Sequence, residues 1–132
     1  MIKPMLEVLR ISLPLTISVA IWEDPMLHLS GLNWSFNSMS AWRIIKDRSV
    51  VCACSDSNCL VELCALKNQA IIKVEVQSTS IDIDPVFILS DGSKLEVFSM
   101  DTYEPWTMRL PTGEIFVASP SNPHSFDLIW RV

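Results

Sequence analysis

Apolar and polar residues alternate with a period of two along most of this 132-residue chain. That is the spacing of a β-strand with one buried face, because successive side chains of a strand point to opposite sides. From Ile11 to Ile21, isoleucine, leucine and valine fill the odd positions, while serine, proline, threonine and alanine fill the even ones. With turn residues at intervals of about 8–12, the pattern predicts roughly eight to ten antiparallel strands. We therefore expect one mainly β domain over residues 1–132, barrel-like or a sandwich.

One segment departs from this period. Ser57 or Asn58 can cap the start of a helix, and Asn68 can end it. Between them, residues follow at helical spacing: Leu60, Leu63, Cys64 and Lys67. The sequence predicts one short helix near residues 59–67 and no other, so that a strict count of elements gives an α+β domain.

The dipeptide Asp91-Gly92 predicts a tight hairpin, since both residues tolerate the positive φ of a two-residue turn. Such a turn pairs Ile88 with Leu95 and Val86 with Val97. Both apolar pairs then share one face of the sheet, so turn chemistry and hydrophobic pattern agree on this register.

The three glycines all lie at expected turns or bends. Gly31 separates two runs of opposite parity and predicts a bend, after which Leu32 begins the apolar face of the next strand. The segment Pro111–Gly113 predicts another hairpin. Too few glycines remain for a glycine-rich phosphate loop, and no cofactor is predicted.

The N-terminal segment superficially resembles a secretory signal, with Lys3 before an apolar stretch and a small-residue site near Ala20. Its alternation is typical of a strand, whereas the apolar region of a signal is a continuous run. No uncharged run reaches the roughly 18–20 residues that a membrane span requires. We expect a cytoplasmic protein that does not associate with membranes.

Four cysteines occur within a short segment, at positions Cys52, Cys54, Cys59 and Cys64. Their spacing differs from the paired C-x-x-C motifs of zinc sites. We expect four small, buried apolar residues in a reducing compartment and no metal site, with disulfides and a metal centre as the alternatives.

Acidic residues outnumber basic ones by fifteen to ten, which gives a formal net charge of −5. No cluster of lysine and arginine is present to neutralise phosphates, so nucleic acid is not an expected partner. An acidic surface suits a basic protein partner.

Candidate catalytic groups are few. Asp82 and Asp84 lie two residues apart and can share a strand face, as a general acid–base pair requires. Acidic residues beside proline are also common turn formers, and Asp84 precedes Pro85. His28 lies between apolar residues of a predicted strand, without the sequence context of a nucleophile. We predict no catalytic residue and expect that the protein is not an enzyme.

The segment "DTYEPW" combines aromatic and acidic residues at the entrance of a predicted strand. Asp101, Tyr103, Glu104 and Trp106 have the composition of a protein-binding hot spot, and are our candidate partner-binding residues. The same composition suits a corner in which Trp106 closes the end of the barrel, and this structural interpretation is the one that we favour.

Four segments together resemble a family of small, uncharacterised bacterial domains: "LNWSF", "AWRII", "PVFILSDGSKLEVFS" and "YEPWTMRLP". The resemblance covers about residues 27 to 118, and its W-R-I, S-D-G-x-x-L-E-V-F and E-P-W elements are structural. Some members resemble immunity proteins encoded beside toxin or defence genes. The resemblance implies a bacterial, β-rich domain and transfers no catalytic residue.

These observations favour a non-enzymatic protein-binding domain. We expect a bacterial immunity or accessory protein that masks a basic toxin or partner enzyme. One alternative is a structural module that forms a homodimer or larger oligomer through exposed strand edges. A less favoured alternative is a small hydrolase or metal-dependent enzyme that uses the cysteines, His28 or the aspartates.

Overall fold

A computed structural model describes residues 2–78, 80–100, 104–121 and 127–129. Within them, twelve strands form two six-stranded antiparallel sheets, one in the order β1-β7-β8-β9-β5-β6 and one in the order β12-β11-β10-β4-β3-β2. The helices are α1 (Lys3–Ser12) and α2 (Cys59–Cys64). The strands are β1 (Leu15–Thr16), β2 (Val19–Glu23), β3 (Met26–Ser30), β4 (Ser35–Ser38), β5 (Ala41–Lys46), β6 (Ser49–Ala53), β7 (Ala70–Val76), β8 (Pro85–Leu89), β9 (Lys94–Phe98), β10 (Trp106–Arg109), β11 (Ile115–Val117) and β12 (Asp127–Ile129). The mainly β prediction is confirmed and the arrangement is a sandwich, although its twelve described strands exceed the eight to ten that the sequence predicted.

The core lies between the two sheets. Phe36 of β4 meets Phe87 of β8 edge to face, with ring centroids 4.9 Å apart, so that the contact joins one sheet to the other. Trp106 packs beside Phe36 at 5.7 Å. All three side chains are at most 1% exposed. Aromatic contacts of this kind stabilise a core by about 0.5–1.5 kcal/mol beyond the burial of their surface.

The first helix was not predicted. Pro4 lies in its first turn, where a missing N–H costs nothing, and Met5 and Leu9 are buried at helical spacing. The alternation from Ile11 onward suggested a strand there, but Ile11 belongs to the last turn of α1 and is 83% exposed. The strand pattern holds only after Leu13.

The chain changes sheets immediately after α1. Strand β1 pairs with β7 of the first sheet, and β2 pairs with β3 of the second. At the crossing, the Ile17 N–H donates to the Gln69 carbonyl and the Ser18 N–H to the Ser30 carbonyl. The inward parity changes here: Ile17 is buried, whereas Ile21, predicted on the same face, is 42% exposed.

The second helix and the bend at Gly31 are confirmed. Helix α2 begins at Cys59 as predicted but ends at Cys64 rather than at Lys67, and Asn68 adopts a left-handed φ of 72° in the turn that follows. Gly31 lies between β3 and β4, and the parity of the buried residues changes across it. Leu32 does not join the buried face as expected, because it lies in the intervening loop and is 99% exposed.

The hairpin between β8 and β9 forms, but its predicted register is wrong by one residue. The structure pairs Phe87 with Leu95 and Ile88 with Lys94. The Leu89 N–H donates to the Ser93 carbonyl, which closes a three-residue loop in place of the predicted two-residue turn. Phe87 and Leu95 therefore share the buried face, while Ile88 is turned away from it.

Asp91 explains the longer loop. Its Oδ1 accepts hydrogen bonds from the Ser93 backbone N–H at 2.9 Å and hydroxyl at 2.5 Å, and its Oδ2 lies 3.6 Å from Lys46 Nζ. Burial alone would raise the pKa of Asp91, but the bonds from Ser93 and the charge of Lys46 hold that pKa below its usual value. Gly92 supplies the left-handed φ of 87° that ends the loop.

Candidate functional site

The predicted binding residues fall into three groups. Glu104 is exposed and has a left-handed φ of 40°. Trp106 is 1% exposed, so its ring packs within the core and offers no area for direct contact with a partner. Asp101 and Tyr103 lie outside the described residues. The burial of Trp106 agrees with the interpretation as a structural corner, and the docking role of the remaining residues stays a prediction.

A cavity of about 230 Å³ lies beside this segment, and we name it the Met–Trp corner. Met39 lines the cavity, and its N–H donates to the carbonyl of Pro105 at 2.9 Å. This bond links the wall of the cavity to the segment that contains Glu104. Its lining residues are Trp22, Asp24, Pro25, Met39, Ser40, Ala41, Cys54, Ser55 and Met100.

The topology explains why the cavity forms here. Met39 and Ser40 connect β4 of the second sheet to β5 of the first, and Met100 follows β9 on its way back to the second sheet. Trp22 lies near the end of β2, the edge strand of the second sheet. Connections that cross between the sheets therefore enclose the cavity at one end of the sandwich.

The aromatic wall of the cavity is well supported. Trp22 is half-buried and packs edge to face against Trp42, with ring centroids 5.5 Å apart and an interplanar angle of 81°. Trp42 is 1% exposed and cannot move without disturbing the core. Trp22 is therefore an anchored ring that remains half open to solvent.

The methionines are far more exposed. Met39 is 50% exposed, Met100 is 66% exposed, and Met26, which follows Pro25 of the lining, is 42% exposed. Methionine is unbranched and polarisable, so it adapts to differently shaped apolar partners. The cavity therefore combines a supported indole, that of Trp22, with two exposed and flexible thioethers, those of Met39 and Met100.

Two buried polar atoms near this wall lack hydrogen bonds to the described residues. They are the Ser40 hydroxyl oxygen, in a residue that lines the cavity, and the Trp42 Nε1–H, behind Trp22. A buried polar group without a partner costs about 1–3 kcal/mol.

The charges around the cavity are negative. Asp24 lines it, and the lining contains neither lysine nor arginine. Glu23 and Glu104 are both exposed. Glu23 follows Trp22 of the wall, and Glu104 precedes Pro105, which holds the wall through Met39. Arg43 is occupied elsewhere, since its Nε lies 2.5 Å from Glu96 Oε1 and its guanidinium is 4.8 Å from the Phe98 ring centroid. The residues that line the cavity therefore include one acidic side chain and no basic one.

Sequence reasoning missed Trp22, Met39 and Met100. The available signal was the position of two methionines in polar segments directly after predicted strands, where burial is not expected. Which of these segments meet in space depends on strand order, and the alternation pattern does not contain strand order.

The two candidate catalytic carboxylates, of Asp82 and Asp84, have different surroundings. Asp84 is buried, and its carboxylate accepts hydrogen bonds from the backbone N–H and the hydroxyl of Ser99, so it holds the start of the β9–β10 connection. Asp82 is half-buried, and its backbone carbonyl accepts the Ile2 N–H. His28 Nδ1 lies 2.6 Å from Asn37 Oδ1 on the outer face of the second sheet.

The cysteines differ from one another. Cys52 and Cys59 are buried as predicted, but Cys54 is half-buried and Cys64 is exposed, which corrects the expectation that all four are buried. Helix α2 turns Cys64 to solvent because the five-residue separation from Cys59 places it on another face. Burial, with Glu62 and the neighbouring Cys59, raises the pKa of Cys52 to about 11. Across the described ranges, no group of three or more His, Cys, Asp or Glu side chains is placed to hold a metal ion.

No protein-family model, curated protein or solved structure matches the chain. In the part of the chain that the structure describes, no helix has the length and apolar character needed to cross a membrane.

Proposed function

We propose that this protein is a non-enzymatic binding domain that captures a basic partner protein at the Met–Trp corner. In this proposal it acts in the bacterial cytoplasm as an immunity or accessory protein that masks a toxin or a partner enzyme. The observation that carries the proposal is the anchored, half-open ring of Trp22 between exposed methionines and acidic residues.

The size of the cavity favours a protein partner over a small molecule. Its volume of about 230 Å³ is below the roughly 300–1,000 Å³ of most small-molecule pockets. One apolar side chain of a partner can enter it, in contact with Trp22 and Met39. Binding hot spots have this form, an aromatic anchor in a pocket with polar residues around it.

The acidic residues orient the partner and accelerate its encounter with the cavity. Asp24 lines the cavity, Glu23 and Glu104 adjoin in sequence residues that form or hold its wall, and the chain as a whole carries a net charge of −5. Complementary charge accelerates encounter and is screened by salt. The partner's lysines and arginines therefore contact the rim of the cavity while an apolar residue fills it.

Affinity capture with the tagged full-length chain, followed by calorimetry on the purified partner, tests the proposal. The partner should be basic, and its affinity should fall as salt concentration rises. Combined replacement of Asp101, Tyr103 and Glu104 by alanine should weaken binding at least about tenfold, and Met100→Ala should weaken it by a similar factor. Glu7→Ala, an exposed acidic residue of α1, is the matched control and should leave the affinity unchanged.

Two results contradict the proposal. One is an affinity that neither the triple variant nor Met100→Ala reduces. The other is a captured partner that is acidic and binds equally well at low and high salt.

One observation favours a second candidate, a homo-oligomer. Among the described residues, strand β12 lies at the edge of the second sheet and pairs on one side only, with β11, so its other side is a candidate for pairing with another copy of the chain. Sedimentation at rising protein concentration tests this. A single monomeric species at all concentrations removes the candidate.

A further inference from the structure

A second groove lies between α1 and β7, near the edge of the first sheet that is opposite β6. It encloses about 380 Å³, and we name it the α1–β7 groove. Its lining residues are Leu6, Leu9, Arg10, Leu13, Ile72, Lys73 and Val74. The lining is apolar except for two cations, in a protein whose net charge is −5.

Strand β7 borders this groove with an open edge. It pairs with β8 over its whole length, but with β1 only at Ala70 and Ile71. The Gln77 N–H donates to the Asp84 carbonyl, which fixes the alternation of the β7–β8 ladder. By that alternation, the backbone groups of Val74 and Val76 point away from β8, and within the described residues no strand pairs with them.

A β-bulge shapes the same part of the strand. The register between β7 and β8 shifts between Ile71 and Lys73, so that Ile72 is the extra residue. Ile72 is 49% exposed and lines the groove. Bulges re-aim side chains and interrupt pairing at sheet edges. Here the bulge marks the point at which β1 ends and the unpaired part of β7 begins.

The two cations of the groove are available. Arg10 lies in the last turn of α1 and Lys73 on β7, and neither forms an ion pair with any described residue. Glu7 and Glu75 lie on the same two elements, but no acidic residue lines the groove. Arg10 and Lys73 are therefore free to pair with carboxylates of an occupant of the groove.

We propose that the α1–β7 groove binds an extended acidic segment of a partner protein by strand addition to β7. The segment's backbone would form hydrogen bonds with Val74 and Val76. Alternate side chains of an added strand point to opposite sides, so apolar residues contact the leucines of α1 while carboxylates meet Arg10 and Lys73. This surface is separate from the Met–Trp corner and takes a partner segment of opposite charge.

The probe is a fluorescently labelled, N-terminally blocked peptide of alternating valine and glutamate, titrated into the full-length chain. Binding should be saturable, and combined Arg10→Glu and Lys73→Glu should weaken it by at least about tenfold. Arg109→Glu alters an exposed cation of β10 in the other sheet and should leave the affinity unchanged. A free C-terminal carboxylate and a C-terminal amide distinguish the source of the anion: equal affinities assign recognition to the side chains, and a loss with the amide assigns it to the chain terminus.

Hydrogen exchange supplies the backbone readout. The amide protons of Val74 and Val76 should exchange at least about tenfold more slowly with the peptide bound, because strand addition places them in hydrogen bonds. The proposal is wrong if the peptide does not bind, if charge reversal leaves its affinity unchanged, or if it binds without protecting these amides. Saturable binding of decanoate with no binding of the peptide would instead make the groove a fatty-acid site and also overturn the proposal.

Discussion

Replacing Gly31 with alanine should destabilise the protein severely, although the φ of this glycine is not positive. A Cβ atom at residue 31 would lie 2.1 Å from Trp34 Nε1 and 2.3 Å from the Thr16 carbonyl oxygen. These two atoms are the donor and acceptor of a 3.1 Å hydrogen bond, and Trp34 is 4% exposed. The added methyl group would therefore occupy the space in which the indole meets the backbone of β1.

The expected loss follows from the two ways of relieving the clash. Moving Trp34 leaves a buried donor without its acceptor, which costs about 1–3 kcal/mol. Forcing an extra carbon into a packed site costs about another 1–3 kcal/mol. We expect Gly31→Ala to lower the free energy of unfolding by about 2–6 kcal/mol, a large part of the roughly 5–15 kcal/mol of a typical domain.

Urea denaturation followed by tryptophan fluorescence and circular dichroism measures this loss. Gly92→Ala is the matched control, because Gly92 has a φ of 87° and no atom lies within 4 Å of the place that an added Cβ would take. The control should cost only the roughly 1–2 kcal/mol of a left-handed alanine. Where sterics permit it, exchanging glycine for alanine stabilises by about 0.4–1 kcal/mol. A Gly31→Ala protein as stable as the parent, or more stable, would refute the reasoning.

Three further predictions concern buried or bonded titratable groups. The Cys52 thiol loses its proton near pH 9.0 in the unfolded chain and near pH 11 in the folded one, so the free energy of unfolding should fall by roughly 3 kcal/mol as the pH rises between these values. In urea titrations, Cys52→Ala should abolish that fall and Cys64→Ala should retain it. Asp91→Ala should cost about 1 kcal/mol at neutral pH, and the difference should shrink in acid unfolding curves as pH falls through the lowered pKa of this carboxyl. Asp84→Asn should cost about 1.5–3 kcal/mol in chemical denaturation because it weakens two hydrogen bonds from Ser99; an unchanged midpoint would contradict the assigned role.

The two-residue period predicts the sheets well because each sheet of a sandwich has one buried face, as the strand around Trp42 and Ile44 illustrates. It fails where neighbouring segments change structure. The first helix was missed because Ile11 continues, by composition alone, the alternation of the strand that follows it. The exposure of Ile21 follows from the change of sheet at Ile17, a tertiary event without a local signal.

The register of the β8–β9 hairpin and the location of the candidate site depend on interactions that the two-residue period does not predict. Asp91-Gly92 fits a two-residue turn, and only the hydrogen bonds that Ser93 donates to the Asp91 carboxylate select the longer loop. The segment around Glu104 was recognisable from composition. Its neighbours Met39 and Met100 were not, since their proximity depends on how the strands are ordered.

The segment from Leu15 to Glu23 belongs to both sheets, since β1 lies at one edge of the first and β2 at one edge of the second. Because β1 and β2 are consecutive in the chain, one sheet cannot lose its edge strand without disturbing the edge strand of the other sheet. The protein should therefore unfold in a single cooperative transition. Proteolytic cleavage between Leu15 and Glu23 would free both edge strands and leave two unpaired sheet edges, each of which could pair with strands of other molecules and cause aggregation.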